Sequence, residues 1–312
     1  MTITVIGHLC LDVISHVGGT ETQSHGGIFF SLAALANLLG ENDKIYPVFP
    51  VGKPDYDELI DRLKVYPNID TSGIYKFNGT TNRVHLMYTN AAERIECSKD
   101  ISEPIPLKRI RPYLDSNMIL VNMISGFDIT LETMDEIRMD VREEHTPIYL
   151  DVHSLTLSIK ADDTRFHKPL ETWRRWLFMI HAAQMNETEA AILSTERFDE
   201  ATLAKHALAL NTRAMIVTKG KDGYTAYMDI HKTIKRYDAP GIPVENAIDA
   251  TGCGDVFAAA YCAHYLSSQD ILASAEFANR VAARKAQLSG SLEIDKLSAF
   301  RIGERVNEGE GK

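Results

Sequence analysis

The sequence has no long apolar run and no cluster of basic residues, and each absence excludes a class of protein. No stretch approaches the roughly 20 consecutive apolar residues that a membrane-spanning helix needs. The formal net charge is −10, and no basic stripe interrupts the acidic composition. We therefore expect neither a nucleic acid nor a membrane as a partner.

Cysteine is also scarce. The four cysteines lie at Cys10, Cys97, Cys253 and Cys262, without the spacing of a metal site or a disulfide framework, which predicts reduced thiols in a cytosolic protein. The first seven residues have no basic segment and are typical of a strand, so we expect no signal peptide and a cytoplasmic location.

What is present is the composition of an ordinary globular protein, with 45% hydrophobic and 24% charged residues among 312. Short apolar runs alternate with amphipathic stretches, which predicts an α/β fold with a mostly parallel central sheet flanked by helices. The predicted strands are residues 3–7, 45–51, 118–123, 148–152, 177–180 and 215–218. The predicted helices are residues 27–39, 56–65, 131–142, 187–193 and 199–210. We expect one domain over residues 1–305 and a frayed tail over residues 306–312.

A hairpin pattern departs from this alternation. Residues 81–89 and 93–98 resemble strands around a polar turn at residues 90–92. Together with residues 11–17 they could form a small sheet outside the main one, with lid strands within residues 11–18 and 74–98. The alternative is an ordinary edge hairpin.

The most specific pattern is D-A-T-G-C-G-D at residues 249–255, which runs into an alanine-rich helical stretch. Free N–H groups at a helix N-terminus form an anion site, and Gly252 and Gly254 allow an anion to approach the backbone closely. Asp255 would repel a phosphate unless it has a role, and accepting a proton from an attacking hydroxyl is such a role. A parallel sheet places such loops at its carboxyl edge, where ligands bind.

The simpler interpretation is a capped helix, with Thr251 as N-cap and Asp255 as a first-turn acid. Against it, D-x-T-G-x-G-D is expected by chance in only roughly a few chains of this length per ten thousand. The pattern resembles the C-terminal signature of the ribokinase-like (PfkB) family of carbohydrate kinases, usually D-T-T-G-A-G-D. The resemblance implies an anion hole at Gly252, Cys253 and Gly254, with Asp255 as general base.

The resemblance gives two further segments roles around ATP. The N-E-T-E segment that begins at Asn186 matches N-x-x-E, which acts through Mg²⁺ and its waters and so implicates Asn186 and Glu189. A capping box is the alternative. The T-K-G-K-D-G segment at residues 218–223 is similar to the family's nucleotide loop. It adds ATP contacts at Thr218, Lys219, Gly220 and Gly223, although a plain β-turn would also explain it.

Further along, Asn279 falls on the helix that packs near the adenine in relatives, and a solvated helix face is the alternative. Some relatives also bind K⁺ through the first Asp and Thr of the signature, here Asp249 and Thr251, and a loop matching residues 286–291.

The N-terminal half supplies the acceptor residues implied by the resemblance. Gly26 and Gly27 match the G-G of a second signature, Ser31 stands where Asn is usual, and Asp12 matches the aspartate that holds sugar hydroxyls. Residues 151–154 read D-V-H-S where many relatives read D-P-N-x, and His153 could face the substrate or simply pack. The substitutions at Ser31 and His153 leave the acceptor's identity open.

Together these features predict an ATP- and Mg²⁺-dependent kinase of a sugar or sugar-like alcohol, with a small-molecule acceptor under the lid. In some relatives the lid also forms a homodimer. A nucleoside or vitamin-like alcohol kinase is one alternative. A sugar-binding pseudokinase without activity is the other, and the intact Asp255 argues against it.

Overall fold

The computed structural model describes residues 1–15, 21–88, 94–245, 247–291 and 293–303. The predicted hairpin turn at residues 90–92, residues 16–18 of the first lid strand, and the tail at residues 306–312 lie outside these ranges.

A large sheet forms the centre of the described chain. Its strands, in spatial order, are β15 (Thr233–Ala239), β14 (Tyr224–Ile230), β13 (Ala214–Thr218), β12 (Ala182–Asn186), β9 (Ile148–Asp151), β8 (Met118–Asn122), β1 (Thr2–Ile6), β4 (Lys44–Gly52) and β5 (Ile74–Phe77). All neighbours from β13 to β5 are parallel, and β14 and β15 add antiparallel strands at one edge. The central strands are buried along most of their length, because parallel strands are covered by helices on both faces.

Helices separate successive strands, as the alternating pattern predicts. They are α1 (Ile28–Leu38), α2 (Tyr56–Leu63), α3 (Leu107–Ile110), α4 (Leu131–Asp140), α5 (Trp173–Phe178), α6 (Glu187–Leu193), α7 (Glu200–Leu208), α8 (Cys253–Ser268) and α9 (Ile271–Lys285). One group, α1, α8 and α9, packs together; α4 to α7 form a second series of contacts. Helix α8 also contacts β8 and β9, so its first turn lies beside the middle of the sheet.

A small second sheet contains β3 (Glu21–Gly27), β2 (Leu9–Ser15), β6 (Arg83–Tyr88) and β7 (Arg94–Lys99) in that spatial order. The predicted small sheet is therefore present, and it gains β3, which the sequence pattern did not predict. Strand β5, within the range predicted for the lid, pairs with β4 in the large sheet instead. A short hairpin of β10 (Leu157–Ile159) and β11 (Arg165–His167) touches β7 through a bridge between Cys97 and Thr164.

One predicted strand is wrong. The apolar run at residues 177–180 begins in helix α5 and continues to the turn before β12, which starts only at Ala182. Trp173, Trp176 and Leu177 are buried, which accounts for the apolar residues without a strand. A short apolar run does not distinguish a buried strand from a buried helical turn.

The confirmed architecture is α/β, with a mostly parallel central sheet and a smaller sheet beside it. Among the described residues, no helix is both long enough and apolar enough to cross a lipid bilayer.

Candidate active site

A cavity of about 620 Å³ lies at the carboxyl ends of the central strands. Adjacent strands β8, β9, β12 and β13 end at Asn122, Asp151, Asn186 and Thr218. The register pairs Asn122 with Asp151 and Asn186 with Thr218. Because the strands are parallel, these four polar residues lie at one edge of the sheet, where α/β proteins bind ligands.

Most residues that the sequence predicts for the site line this cavity. They are Asp12, Gly27, His153, Asn186, Glu189, Thr218, Gly220, Asp249, Thr251, Gly252, Gly254 and Asp255. Six other predicted residues are absent from the described lining: Gly26, Ser31, Lys219, Gly223, Cys253 and Asn279.

Asp255 lies in the first turn of α8 and is only 7% exposed. Its Oδ1 accepts a hydrogen bond of 2.8 Å from Nδ2 of Asn122. Burial raises the pKa of Asp255 above its ordinary value, although His153 and the bond from Asn122 act in the opposite direction. A carboxylate whose pKa is raised toward neutrality is suited to accept a proton from a hydroxyl group.

Gly252 is the N-cap of α8, with φ of 79°. A Cβ at this position would lie 2.5 Å from the ring of Phe30, so both the backbone conformation and the space require glycine. Gly254 has room for a side chain, because a Cβ added there would make only an ordinary van der Waals contact, with Nε2 of Gln184 at 3.7 Å. Both glycines line the cavity at the positive end of the helix dipole.

Cys253, between these glycines, has its N–H group engaged by the carbonyl of Ala250 at 3.2 Å. Its Sγ lies 3.7 Å from the carbonyl oxygen of Ala282. Burial raises the pKa of the Cys253 thiol to about 11. The side chain is thus a small, half-buried group and not a reactive thiolate.

His153 lies among three buried carboxylates. Burial lowers its pKa, but Asp255, Asp151 and Glu189 outweigh that effect, so the pKa is raised overall. The His153 side chain is 42% exposed and lines the cavity. Its backbone φ is 34°, in a region that non-glycine residues rarely adopt. His153 therefore faces the site, and the surrounding carboxylates favour its protonated form.

Asn186 and Glu189 form a complete capping box at the start of α6. The carboxylate of Glu189 accepts bonds of 2.7 Å from both the backbone N–H and Nδ2 of Asn186. The predicted capping alternative is therefore present. Each carboxylate oxygen has a second lone pair, and both residues line the cavity, so the same pair also fits a hydrated Mg²⁺.

The predicted ATP-binding residues at the end of β13 and in the loop after it form two groups, one that lines the cavity and one that does not. Thr218 and Gly220 line the cavity. Lys219 instead pairs with Glu200 at 3.2 Å, and Gly223, with φ of 97°, packs against the carbonyl of Ala239. Asn279 donates to the carbonyl of Pro240 at 3.2 Å.

At the other end of the cavity, Asp12 is 7% exposed. Burial raises its pKa to about 6, against a bond from the Cys10 thiol that lowers it. Gly26 lies on the neighbouring strand β3, opposite Cys10, and a Cβ on Gly26 would overlap the Asp12 carboxylate. Gly26 therefore makes room for Asp12, while Gly27, with φ of 57°, reaches the cavity itself.

Ser31 does not reach the cavity, because it is fully buried on α1. Its Oγ accepts a bond of 3.1 Å from Nδ2 of Asn122 and lies 3.3 Å from the backbone carbonyl of Asp255. The structure places Ser31 behind Asp255 and away from the acceptor.

Several residues of the site were not predicted from the sequence, and three of them contact or neighbour the residues described above. Asn122 bonds to Asp255, and Gln184 donates to the carbonyl of Gly254 at 3.0 Å. Arg165, on β11, lines the cavity and bonds to Ser98 of β7. The signal available for Asn122 and Gln184 was a polar residue within or at the end of an apolar strand. Arg165 had no such signal, because its hairpin was not predicted.

Comparisons with known proteins agree with this geometry. The pfkB family carbohydrate kinase profile matches residues 148–296. The chain is 40% identical over 305 residues to the ribokinase of Bacillus subtilis (strain 168), covering 90% of this chain and 91% of the relative. It is 22% identical over 272 residues to the cytidine kinase of Thermococcus kodakarensis, covering 85% of this chain and 88% of that relative.

Among solved structures, a pyrophosphate-dependent kinase in the ribokinase family superposes with a TM-score of 0.78 at 15% identity, covering 95% of this chain and 99% of the other. This likeness shows the shared fold. Together with the ribokinase relative, it shows that the chain is a phosphotransferase that belongs to the PfkB family of carbohydrate kinases and has the ribokinase-like fold.

Proposed function

We propose that the protein transfers the γ-phosphoryl group of ATP to a primary hydroxyl of a sugar or sugar-like alcohol. The observation that carries the proposal is the position of Asp255. It is a buried carboxylate beside a glycine-lined helix N-terminus, in the same cavity as a second carboxylate, Asp12. Neither the buried carboxylate nor the helix N-terminus alone would favour phosphoryl transfer over simple ligand binding.

Asp255 accepts the proton of the acceptor hydroxyl. As that oxygen forms its bond to the γ-phosphorus, the bond from phosphorus to the β–γ bridging oxygen breaks, and ADP leaves with the electron pair. Burial raises the pKa of Asp255, which brings the base closer to neutral working pH and strengthens its proton affinity.

The first turn of α8 stabilises the transferred group. Gly252 and Gly254 let the phosphoryl oxygens approach the backbone without a side chain between them. The positive end of the helix dipole and the free N–H groups then face the negative charge. Such preorganised donors act without reorganising during the reaction, which is the main advantage an enzyme has over water.

Asn186 and Glu189 would hold hydrated magnesium near the donor phosphates. Bound magnesium supplies positive charge to those phosphates. Thr218 and Gly220, at the end of β13, give the donor end of the cavity its polar wall. Lys219, Gly223 and Asn279 support this wall from outside the cavity.

The acceptor lies against the small sheet, which includes Asp12 on β2 and its register partner Val84 on β6. Asp12 offers carboxylate oxygens for hydroxyl groups, Gly27 allows close approach, and Val84 and Leu86 add apolar cover. A carboxylate beside apolar residues suits a polyhydroxylated ring, which has hydroxyl edges and less polar C–H faces.

A nucleoside or vitamin-like alcohol is the second candidate acceptor. The likeness to a cytidine kinase favours a nucleoside, because that relative covers most of both chains. Apolar residues at the acceptor end, including Phe30 and Ile124, would also accommodate a base. A sugar-binding pseudokinase is a third candidate, against which the buried Asp255 and its bond from Asn122 both argue.

The test is release of ADP with Mg²⁺-ATP against pentoses, hexoses, sugar acids, inositols and nucleosides, repeated with pyrophosphate as donor. The variant Asp255→Asn keeps the shape of the side chain and removes the base. Asp229→Asn, an exposed carboxylate on β14, is the matched control.

We expect turnover on one acceptor class, lost almost completely in Asp255→Asn and retained in Asp229→Asn. Substantial turnover in Asp255→Asn would remove the general-base role. An acceptor that raises the melting temperature of the wild type without any turnover would instead support the pseudokinase. Turnover with pyrophosphate and none with ATP would show that pyrophosphate, and not ATP, is the phosphoryl donor.

A further inference from the structure

Lys285, the last residue of α9, is fully buried. Among the described residues, its Nζ makes a single hydrogen bond, of 3.4 Å, to the backbone carbonyl of Asp249. It also lies 5.2 Å from the centroid of the Phe30 ring, within the range of a cation–π contact. Burying a lysine without a carboxylate partner is costly, so its position requires a reason.

The surroundings of Lys285 point to the anion hole. Phe30 packs directly against Gly252, where a Cβ would meet its ring at 2.5 Å. The ring therefore has the lysine on one side and the glycine turn on another. The charge of Lys285 also acts to lower the pKa of both Cys253 and Asp255, which belong to the same turn.

The residues that would ligate K⁺ are already engaged. Oδ1 of Asp249 accepts the N–H of Thr251 at 2.9 Å, and Oδ2 accepts the N–H of Gly290 at 3.1 Å. The carbonyl of Ala286 accepts two N–H groups, from Ile248 at 2.8 Å and Asp249 at 3.2 Å. These oxygens hold the loops together, and the ammonium group of Lys285 lies against the carbonyl of the same Asp249. A positive charge this close to the Asp249 carboxylate would repel a K⁺ ion bound there.

We propose that Lys285 is a built-in cation that takes the place of K⁺ beside the anion hole. Lys285 is a positioning residue, and this role rests on the proposed phosphoryl transfer. It holds the carbonyl of Asp249 and places a fixed positive charge behind the Gly252 turn. The wild-type enzyme then needs no monovalent cation.

The first test compares the wild type in potassium, sodium and choline chloride at equal ionic strength, with magnesium present throughout. We expect equal rates and equal melting temperatures in the three salts. Specific activation by K⁺, or a melting temperature raised by K⁺ alone, would overturn the proposal.

The second test uses Lys285→Met, which removes the charge at similar volume, and Lys285→Ala, which leaves a cavity. We expect Lys285→Met to keep its melting temperature, because the variant no longer has the cost of burying an unpaired charge. Its kcat should fall on the order of tenfold, less than for loss of a direct oxyanion donor. In Lys285→Ala, K⁺ or ammonium should restore part of the rate and raise the melting temperature, and choline should do neither.

If Lys285 had only a packing role, both variants would have a lower melting temperature than the wild type and an unchanged kcat. Neither variant would then respond to K⁺ or ammonium. If the wild type turns over no acceptor, the phosphoryl transfer itself fails. The melting temperatures then still test the cation site, because they require no turnover.

Discussion

Nδ2 of Asn122 donates a hydrogen bond of 2.8 Å to Oδ1 of Asp255, which joins the end of β8 to the first turn of α8 across 133 residues of sequence. The bond fixes the orientation of the carboxylate and opposes the effect of burial on its pKa. Asn122 is itself fully buried, so its amide cannot turn to water instead. Asn122 thus controls both the position and the protonation of the proposed base.

Replacing Asn122 should shift the pH dependence of the reaction. Loss of its hydrogen bond in Asn122→Leu raises the pKa of Asp255 further, and the base works only when deprotonated. The acidic limb of the profile of kcat against pH should therefore move to higher pH. Ser31→Ala is the control, because it removes the other partner of the Asn122 amide and leaves the bond to Asp255. If the acidic limb of the pH profile is unchanged in Asn122→Leu, Asn122 does not influence the pKa of the catalytic base.

The two glycines of the turn should respond differently to alanine. Gly252→Ala places a methyl group against Phe30 at a positive φ, so we expect loss of both stability and activity. Gly254→Ala meets nothing closer than 3.7 Å, and alanine favours a helix by about 1 kcal/mol. Its melting temperature should hold or rise while turnover falls, because the methyl group enters the space for the phosphoryl group. Full activity in Gly254→Ala would mean that the phosphoryl group does not approach there.

Asp12→Asn should stabilise the protein and weaken acceptor binding. The folded-state pKa of Asp12 is about 6 against an ordinary 3.8, so the folded state binds the proton more tightly. The free energy of unfolding therefore falls as pH rises between these two values. At neutral pH the variant should gain at most about 3 kcal/mol, with a higher KM for the acceptor. Urea unfolding at pH 4 and pH 7 checks the first effect: a gain equal at both pH values would contradict the assignment to ionisation.

Arg165→Met should raise the KM of the acceptor and leave the KM of ATP unchanged. The side chain is only 12% exposed and lies 3.8 Å from Glu96, so it links β11 to the small sheet above the acceptor. Arg236→Met, on the exposed face of β15, is the control. Initial rates with each substrate varied in turn give both constants. A change in the KM of ATP alone would place Arg165 at the donor end.

Glu189→Gln should raise the magnesium concentration needed for half-maximal rate on the order of tenfold, the lower range for a supporting group at a metal site. Asp199→Ala is the control, because Asp199 is the N-cap residue of α7 and is not among the described residues that line the cavity. It should lose about 1 kcal/mol of stability and keep its magnesium dependence. If Glu189→Gln and Asp199→Ala both lost stability and both kept their magnesium dependence, Glu189 would be only a capping residue.

The sequence by itself predicted the α/β class, which the structure confirms, and the location of the proposed site. Residues 249–255 carry this information locally, because a glycine-rich turn before a helix defines an anion site without reference to the rest of the chain. The helices at residues 131–142 and 187–193 followed from caps and apolar spacing, and their observed bounds differ by at most two residues. Such signals lie within a few neighbouring residues, so they can be recognised in a single sequence.

Only the tertiary structure decided which polar residues meet. The order of the strands in the sheet brings Asn122 to Asp255, places Ser31 behind the site and leaves Lys285 buried beside Phe30. Local patterns single out Asp255 and Ser31, but they do not show which residues these two contact. Their roles depend on contacts between residues far apart in sequence, and the packing of whole strands and helices determines those contacts.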